Sequence, residues 1–503
     1  MNPTVLFTFV IGYFLLLLGV AWYTSRKSDN DSFFIGNRSS NWMLVAFGMI
    51  GTSLSGVTFV SVPGTVGDFA GESFKAFGYF QVVIGYFIGY FVIAYVLLPL
   101  YYRLRVTSIY NYLQQRFGFF SYKTGALFFI LSRTIGATAR LYLVINVLQL
   151  FILDSLGISF TVTTLIILVM ILLYTFEGGV KTIVYTDTLQ TTFMLLGLIV
   201  CMVYIMSHLD LNLVSALTTL EERGYTGMFD TNPGSKGFFV KQIIGGAFIA
   251  VAMTGLDQEM MQKNISVKTL KDSQKNIITF STIIVVVNFL FLLLGGLLYI
   301  YMLQNGAVYE GKQLIAEGKN IIGDDLFPTV ALQYLPQSVA IIFIIGLISA
   351  LFPSADGALT ALTSSFCVDL IGLKRRDDWD EKQKRKIRLR VHLTFTVIFF
   401  LCILIFKWID NKSIIYVILE LAGYTYGPLL GLFAFGILTK RVVNDGITVT
   451  VICLLAPAFS YLLSKYSPVL MGGYQIGIEL LIINGLLTFI GLMMISKRPA
   501  VVN

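Results

Sequence analysis

The sequence predicts an all-α integral membrane protein with about thirteen transmembrane helices, arranged as two inverted five-helix repeats with broken helices at the midplane. Only 13% of the 503 residues are charged, 56% are apolar, and the mean hydropathy is +0.79. Soluble domains carry about 25% charged residues, so water cannot be the main solvent of this chain. Long apolar runs recur throughout, and glycine and proline interrupt two of them at corresponding positions.

The spans follow from the apolar runs, because a transmembrane helix needs about 20 consecutive apolar residues. The first run, 3–23, lacks the basic n-region of a signal peptide and is expected to remain as a span. The run 332–371 has no loop in its interior and is expected to form one long or kinked helix. The predicted spans cover 3–23, 41–62, 76–101, 121–150, 157–176, 182–208, 240–262, 275–303, 332–371, 391–408, 413–438, 445–465 and 475–496.

The distribution of basic residues sets the orientation. With the N-terminus outside, the inner loops hold 25 Lys and Arg residues, Lys263 among them, against nine for the outer loops. We therefore expect a multi-pass protein of the cell (inner) membrane, with an extracytoplasmic N-terminus and a cytoplasmic C-terminus. The net charge of +8 is then mostly topological. The lipid bilayer is an expected partner, and a nucleic acid is not.

Two of the predicted spans contain residues that should break a helix. The second span holds three glycines and four hydroxyl residues within 47–58, and 62–64 reads Val-Pro-Gly. In the seventh span, Gly245-Gly246 and the segment 253–258 are expected to interrupt the helix. Unwound backbone inside a membrane is tolerated where it lines a cavity or coordinates a ligand. A functional site is therefore expected where these two breaks meet.

The two breaks divide the chain into related halves. The second span runs outward and the seventh runs inward, and five spans extend from each break to the end of its half, as in inverted repeats. The predicted organisation is an extra helix and inner loop over 1–40, a first repeat over 41–208, an outer loop over 209–239, a second repeat over 240–438 and peripheral helices over 439–503.

Charged side chains at membrane depth are costly, and each is a candidate for function. The alternative is a set of buried ion pairs that lock helices together, such as Arg133 with Asp187 or Asp257. The candidates are Arg133, Arg140, Asp187, Asp257, Glu259, Asp356 and Glu420.

These features favour a secondary active transporter. Carbonyl and hydroxyl oxygens freed at a helix break suit Na⁺, and freed N–H groups suit a carboxylate. A proton-coupled symporter that uses Asp187 and Asp356 stays an alternative. A membrane-embedded enzyme with Asp257 and Glu259 as an acid/base pair is a remote one, because no nucleophile, metal cluster or cofactor motif accompanies them. The four cysteines and two histidines likewise show no disulfide or metal-ligand spacing.

Four groups of short motifs, in order along the chain, resemble those of the sodium/solute symporters, a family that includes transporters of glucose, proline, pantothenate, iodide and sialic acid. They are 98–104 (Leu-Pro-Leu-Tyr-Tyr-Arg-Leu) with 107–118, 177–181 (Glu-Gly-Gly-Val-Lys) with 185–190, 257–263 (Asp-Gln through Gln-Lys) and 427–433 (Gly-Pro-Leu-Leu-Gly-Leu-Phe).

The resemblance implies sodium-coupled symport of a small organic solute by alternating access, with Na⁺ as the coupling ion, no organic cofactor and a monomer sufficient for transport. It places the common sodium site between the first broken helix and the eighth core helix. The family has two adjacent hydroxyl residues in that helix, whereas here the first is Pro353. Asp356 is a candidate substitute ligand, and Asp187 belongs in some members to a second sodium site. The implied sodium ligands are Gly51, Leu54, Ala350, Ser354, Asp187 and Asp356.

The resemblance also implies a solute site beside the sodium site. Sugar-transporting members tend to carry Asn-Gln-Tyr where this chain has Asp257-Gln258-Glu259, so a neutral hexose is less favoured. Hydroxyls near an arginine resemble a site for a carboxylated solute such as a sialic acid. The implied solute-binding residues are Ser53, Ser55, Thr58, Gln81, Arg133, Thr254, Asp257 and Gln258.

Overall fold

The computed structural model describes residues 3–25, 40–67, 75–106, 108–175, 179–310, 313–321, 323–376, 378–409 and 414–498. The inner loop 26–39 and part of the 177–181 motif lie outside these residues. Within them, eight helices are long and apolar enough to cross a membrane, three bent helix pairs each form one further span, and two shorter apolar helices complete the set. The prediction of an all-α membrane protein with about thirteen spans is confirmed.

The helices are numbered along the chain, and those of the first half end at residue 222. They are α1 (Pro3–Ser25), α2 (Trp42–Ser53), α3 (Gly56–Thr65), α4 (Gly78–Leu104), α5 (Asn111–Arg116), α6 (Phe119–Leu156), α7 (Phe160–Thr175), α8 (Gly179–His208) and α9 (Leu213–Glu222).

The helices of the second half begin at residue 239. They are α10 (Phe239–Gly255), α11 (Gln258–Ile265), α12 (Leu270–Gln304), α13 (Leu326–Thr329), α14 (Gln337–Ile371), α15 (Glu381–Ile409), α16 (Ile414–Thr425), α17 (Gly427–Leu438), α18 (Ile447–Leu470) and α19 (Leu480–Ile495).

The described residues also form two small antiparallel sheets. A three-stranded antiparallel sheet, β1 (Val308–Glu310), β2 (Gln313–Ala316) and β3 (Lys319–Asn320), follows α12. A second antiparallel pair joins β4 (Val442–Val443) to β5 (Ser496–Lys497), and so ties the chain after α17 to the end of α19. Helices α12 and α14 form the buried centre of the bundle, while α1 and α18 are mostly exposed at its edge.

Both predicted breaks are present, and their positions are now resolved. Helices α2 and α3 meet at 56°, because Leu54 (φ −84°, ψ 74°) and Ser55 (φ −75°, ψ 179°) leave the helical region. Helices α10 and α11 meet at 67° around Leu256 and Asp257. A third bend of 48° between α16 and α17 was not predicted; it lies where Pro428 occupies the first turn of α17, a position that proline favours.

Two predicted interruptions are wrong. The helix α10 runs through Gly245-Gly246 without a break, and Pro63 lies inside α3, which continues to Thr65. The long helix of the ninth span begins at Gln337 rather than at 332, because Pro336 caps its start after a separate turn, Val330–Tyr334.

Glycine at these positions serves close packing. A Cβ on Gly246 would overlap the carbonyl of Val82, and a Cβ on Gly85 would overlap the carbonyl of Ile243. The backbones of α4 and α10 therefore touch directly, as small residues permit in membrane helices. We call this contact the glycine seam; a third member, Gly89, faces Ala247 in the same way.

The glycine seam predicts an unequal response to added methyl groups. Replacing Gly85 with alanine should lower the free energy of unfolding by about 1–3 kcal/mol, because backbone atoms must move to admit the Cβ. Gly12→Ala in α1 is the control, since no heavy atom lies within 4 Å of a Cβ there. Thermal unfolding of both variants in detergent checks this, and equal midpoints would contradict the seam.

Candidate functional site

A cavity of about 90 Å³ lies between the two broken helices and the neighbouring spans α4, α6 and α16. A water molecule needs roughly 10–15 Å³, so the cavity has room for several waters or part of a small solute. Its polar lining consists of Thr52, Ser53, Ser55, Thr58, Tyr79, Tyr86, Tyr90, Arg133, Arg140 and Thr254. Its apolar lining consists of Val57, Ile249, Ala250, Met253, Met260, Ile415, Ile418 and Leu419.

The break in the first helix pair places two hydroxyls in this cavity. Because α2 ends at Ser53 and α3 begins at Gly56, Ser53 and Ser55 flank the turn and line the cavity. Leu54 between them is buried in the protein core instead. The lining thus combines apolar walls with a few convergent polar groups, which is the usual character of a small-molecule site.

Two arginines on α6 line the cavity, and their surroundings differ. The Arg133 guanidinium contacts the Glu259 carboxylate, and its Nε lies 3.9 Å from Asp257 Oδ2. Arg140 is seven residues further along, two helical turns or about 10 Å away. Its guanidinium makes no hydrogen bond to another of the described residues and is part of the cavity wall. Arg140, rather than Arg133, therefore offers an open site for an anion.

A buried charge network lies beneath the cavity. The Lys263 ammonium donates to Asp187 Oδ2 at 2.7 Å and to Thr52 Oγ1 at 2.6 Å, and it lies 3.4 Å from Glu259 Oε1. Glu259 in turn contacts Arg133. All four charged side chains are at most 4% exposed. Buried ions are tolerated only when they are paired and hydrogen-bonded, so each of these groups depends on its neighbours.

Asp257 has a structural position at the start of α11. Its carboxylate caps the helix by accepting from the Met260 N–H at 3.2 Å, and Tyr426 donates a hydrogen bond to it at 3.0 Å. Asp257 thus connects the second broken helix to the bend between α16 and α17. It does not line the cavity.

The other predicted solute-binding residues divide into two groups. Ser53, Ser55, Thr58, Arg133 and Thr254 line the cavity. Gln81, Asp257 and Gln258 do not.

The side chains of the two glutamines form hydrogen bonds with backbone groups instead. The side-chain amide of Gln81 donates to the Gly78 carbonyl at 3.1 Å. Gln258 Oε1 accepts from the Ile109 N–H at 2.9 Å, on the other side of α11. Their role as solute ligands stays a prediction without support from this arrangement.

The four oxygens implied for the common sodium site lie on two touching elements. The Leu54 N–H donates to the Ile50 carbonyl at 2.7 Å, and the carbonyls that follow Ile50 in α2 have no further helical donors. A Cβ on Gly56 would lie 3.9 Å from the Ala350 carbonyl oxygen, so the break faces α14 directly. Ser354 on α14 donates to the Leu351 carbonyl at 2.9 Å, which leaves its oxygen lone pairs available. These hard oxygens fit Na⁺.

Pro353 does not break α14, which continues through it to Ile371. Since proline has no N–H, the carbonyl of Ser349 one turn earlier loses its helical donor. A carbonyl oxygen thus becomes available beside the position where a family hydroxyl is absent.

The two carboxylates implied as sodium ligands have different partners. Asp187 contacts Lys263 and Thr52, while its Oδ1 has no hydrogen-bond partner among the described residues. Asp356 is fully buried and accepts from the Gly357 N–H at 2.5 Å. Whether either binds Na⁺ stays a prediction.

Lys263 was missed, because it was counted with the inner loops. The seventh span was ended at 262, whereas α11 extends to Ile265 and buries Lys263 to 3% exposure. Its spacing of four residues from Glu259, on one face of a helix, was the available signal. Arg140 and three tyrosines of α4 in the cavity wall, Tyr79, Tyr86 and Tyr90, were likewise absent from the predicted solute site.

Hydrogen bonds seal the side of the broken helices away from the cavity. Tyr101 and Tyr110 donate to the carbonyls of Gly255 and Leu256, at 2.8 Å and 2.9 Å. Together with the contact between Ile109 and Gln258, these bonds hold the end of α4 and the segment before α5 against the break between α10 and α11. We call this arrangement the inner seal.

Two broken helices that meet at a cavity with polar lining, within a bundle of about thirteen spans, are typical of a secondary transporter. The family model described as "Sodium:solute symporter family" matches residues 33–453. The chain belongs to this family. It is a sodium-coupled symporter and not an enzyme, so the remote alternative based on Asp257 and Glu259 is set aside.

Several curated relatives cover most of the chain. The sodium/sialic acid symporter SiaT of Proteus mirabilis (strain HI4320) is 26% identical over 91% of this chain and 89% of its own length. The sodium/sialic acid symporter NanT of Aliivibrio fischeri (strain ATCC 700601 / ES114) is 25% identical over 85% and 81%. The sodium/glucose cotransporter 1 of Oryctolagus cuniculus is 22% identical over 87% and 68%.

Solved structures share the fold. The substrate-bound outward-open structure of a Na⁺-coupled sialic acid symporter superposes with a TM-score of 0.81 at 21% identity, covering 98% of this chain and 99% of that one. Mhp1, a nucleobase-cation-symport-1 family transporter, gives a TM-score of 0.53 at 15% identity, covering 93% and 96%.

The charge network predicts a large stability loss when one member is neutralised. Glu259→Gln leaves Arg133 and Lys263 each short of a carboxylate and should cost about 3–5 kcal/mol. The control is Glu381→Gln, whose side chain is 72% exposed where it pairs with Lys384, so that this pair should contribute at most about 1 kcal/mol. Thermal unfolding midpoints of the two variants decide this; a Glu259 variant as stable as the control would show that the network is not stabilising.

Proposed function

We propose that this symporter carries a carboxylated sugar or similar organic anion, such as a sialic acid, together with Na⁺. The observation that carries the proposal is Arg140, whose guanidinium lies in the wall of the cavity between the broken helices and has no acceptor among the described residues. A planar guanidinium binds a carboxylate through two parallel hydrogen bonds. The names of the relatives SiaT and NanT point to the same class of solute.

The rest of the cavity matches such a solute. Hydroxyls of Ser53, Ser55, Thr58 and Thr254 can exchange hydrogen bonds with sugar hydroxyl and amide groups, and three tyrosines add further polar edges. Ile249, Met253 and the other apolar residues suit the C–H faces of a sugar ring. A solute whose carboxylate is bound by Arg140 extends down α6 toward Arg133 and the first break.

Na⁺ and the solute are coupled because both proposed sites include the break between α2 and α3. Side chains on both sides of Leu54 line the solute cavity, while the carbonyls of Gly51 and Leu54 are the proposed sodium ligands, with Ala350 and Ser354 opposite. Sodium at this position fixes the backbone at the break and so completes the solute site. The organic anion and Na⁺ therefore stabilise one and the same arrangement of α2, α3 and α14.

Alternating access then requires the inner seal to open. We assign the seal to the cytoplasmic side, with the N-terminus outside, the C-terminus inside and the division into repeats over 41–208 and 240–438. In the arrangement described, Tyr101 and Tyr110 close the path inward. Once both ligands are bound, the second broken helix must release these tyrosines for the cavity to face the cytoplasm. One chain supplies every residue that lines the cavity, so we expect a monomer to be sufficient for this cycle.

Proteoliposomes test the solute and the role of Arg140 together. Radiolabelled N-acetylneuraminic acid should accumulate under an inward Na⁺ gradient and not under an equal K⁺ gradient. Arg140→Gln should raise KM about 10- to 100-fold, because a charge-assisted hydrogen bond contributes about 1.5–3 kcal/mol. Arg140→Lys keeps the positive charge but lacks the planar guanidinium that makes two parallel hydrogen bonds. Its KM should therefore lie between that of the wild type and that of Arg140→Gln. An unchanged KM in Arg140→Gln would contradict this role, and uptake that follows a proton gradient alone would favour a proton-coupled carrier.

The sodium ligands are tested on α14. Ser354→Ala should raise the half-saturating Na⁺ concentration about fivefold, since the loss of one oxygen ligand costs about 1 kcal/mol. Ser349→Ala is the matched control, because its hydroxyl bonds to Tyr13 and Ile345 instead. Uptake measured against Na⁺ concentration gives both values; equal shifts in the two variants would remove Ser354 from the site.

A further inference from the structure

A second cavity, of about 150 Å³, lies between α10, α16, α18 and α19. It is larger than the solute cavity described above, and we call it the outer cavity. Each of the four helices lines it within two turns of one helix end, at Gln242, at Leu419 with Glu420, at Ser464 and at Leu480. In the orientation proposed above, these are the extracytoplasmic ends of the helices. The outer cavity therefore lies on the side of the membrane from which the solute is taken up.

The outer cavity and the solute cavity share part of their walls. Leu419 lines both of them, and each is lined by further residues of α10 and α16. Along α10, Gln242 of the outer cavity lies seven residues before Ile249 of the solute cavity, which is a distance of about 10 Å. The two cavities thus follow one another inward along the same pair of helices, with the side chain of Leu419 common to both.

Two opposite charges line the outer cavity. They belong to Lys236, in the loop before α10, and to Glu420 on α16, and both side chains are exposed. Within the part of the chain that the structure describes, neither side chain has an ion-pair or hydrogen-bond partner. A neighbouring charge differs in this respect, since the Lys241 ammonium lies 3.7 Å from a Glu479 carboxylate oxygen. The charges of Lys236 and Glu420 are therefore available to a ligand.

Hydrogen bonds hold the backbone beside Lys236. The buried side chain of Gln242 donates to the Lys236 carbonyl at 2.7 Å. The Lys241 ammonium donates to the carbonyls of Ser235 and Gln475, at 3.0 and 3.1 Å, and so joins the loop before α10 to the loop before α19. The ammonium of Lys236 thus extends into the outer cavity from a fixed backbone.

We propose that the outer cavity is a second binding site for the carboxylated solute, which occupies it before passing Leu419 into the solute cavity. This inference rests on the proposed function. The Lys236 ammonium pairs with the carboxylate of the solute, and the Glu420 carboxylate accepts hydrogen bonds from sugar hydroxyls. Because both side chains are exposed, these contacts are weak. The solute can therefore leave the outer cavity and move on to Arg140.

Protection of an introduced thiol tests the outer cavity. Ser464→Cys places a thiol in its wall, and Lys465→Cys is the matched control, one residue further along α18 and outside the lining. The wild type gives the background from its four cysteines. In Na⁺, N-acetylneuraminic acid should slow the reaction of a membrane-impermeant maleimide with the Ser464→Cys protein and leave that with the Lys465→Cys protein unchanged. Adding Lys236→Gln should raise the half-protecting concentration about two- to fivefold, as expected for an exposed charge pair.

Two further measurements separate the outer cavity from the solute cavity. Protection should persist when Arg140→Gln is added to Ser464→Cys, and Na⁺-dependent binding of N-acetylneuraminic acid reports the solute cavity by itself. Binding without protection, or protection that Lys236→Gln leaves unchanged, would overturn the outer site and leave the proposed function intact. Protection that disappears with Arg140→Gln would also overturn it, because the thiol would then report the solute cavity. If there is neither binding nor protection, the proposed solute and the outer site both fall.

Discussion

The break at Leu54 and Ser55 is the constraint on which the rest of the structure depends. Inside a bilayer every backbone polar group needs a partner, and a helix that stops at Ser53 leaves carbonyls without one. In this chain α14 packs against one side of the break, and a polar cavity lies on the other side of the break. In the function that we propose, a structural cost in an ordinary membrane helix thus becomes the place where an ion and a solute meet. The charge network reaches this break through Thr52, whereas the seam and the seal hold the second broken helix in place.

The charge network explains why the second broken helix is so polar. Pairs buried this deeply contribute little net stability relative to well-packed apolar side chains. These pairs do favour one arrangement of the helices. A movement of α11 would break the contact of Glu259 with Arg133 and that of Lys263 with Asp187 at the same time. A carrier that must exist in two distinct arrangements benefits from contacts that form completely or not at all. Tyr426 and Asp257 extend this all-or-none character to the bend between α16 and α17.

Hydropathy and charge were enough to predict the number of spans, their order and both broken helices, because these depend on local composition. They left the end of the seventh span three residues short, at 262 rather than 265, and that error placed Lys263 in a loop. Gly245-Gly246 showed the same limit, since glycine can signal a break or a close contact and only the facing helix decides. Arg133 and Arg140 are two turns apart on one face of α6, so sequence periodicity treats them alike. What separates them is Glu259, which comes from another span.

The open guanidinium of Arg140 has an electrical consequence for the carrier that we propose, because it selects a solute that brings its own negative charge. One Na⁺ carried with one carboxylate moves no net charge across the membrane. A membrane potential of 100 mV, worth about 2.3 kcal/mol per elementary charge, then contributes nothing to accumulation. The sodium gradient alone sets the limit, so that a tenfold gradient supports about a tenfold solute gradient. Such a carrier keeps working in a depolarised cell, but the solute gradient that it can build is smaller than one driven by both the sodium gradient and the membrane potential.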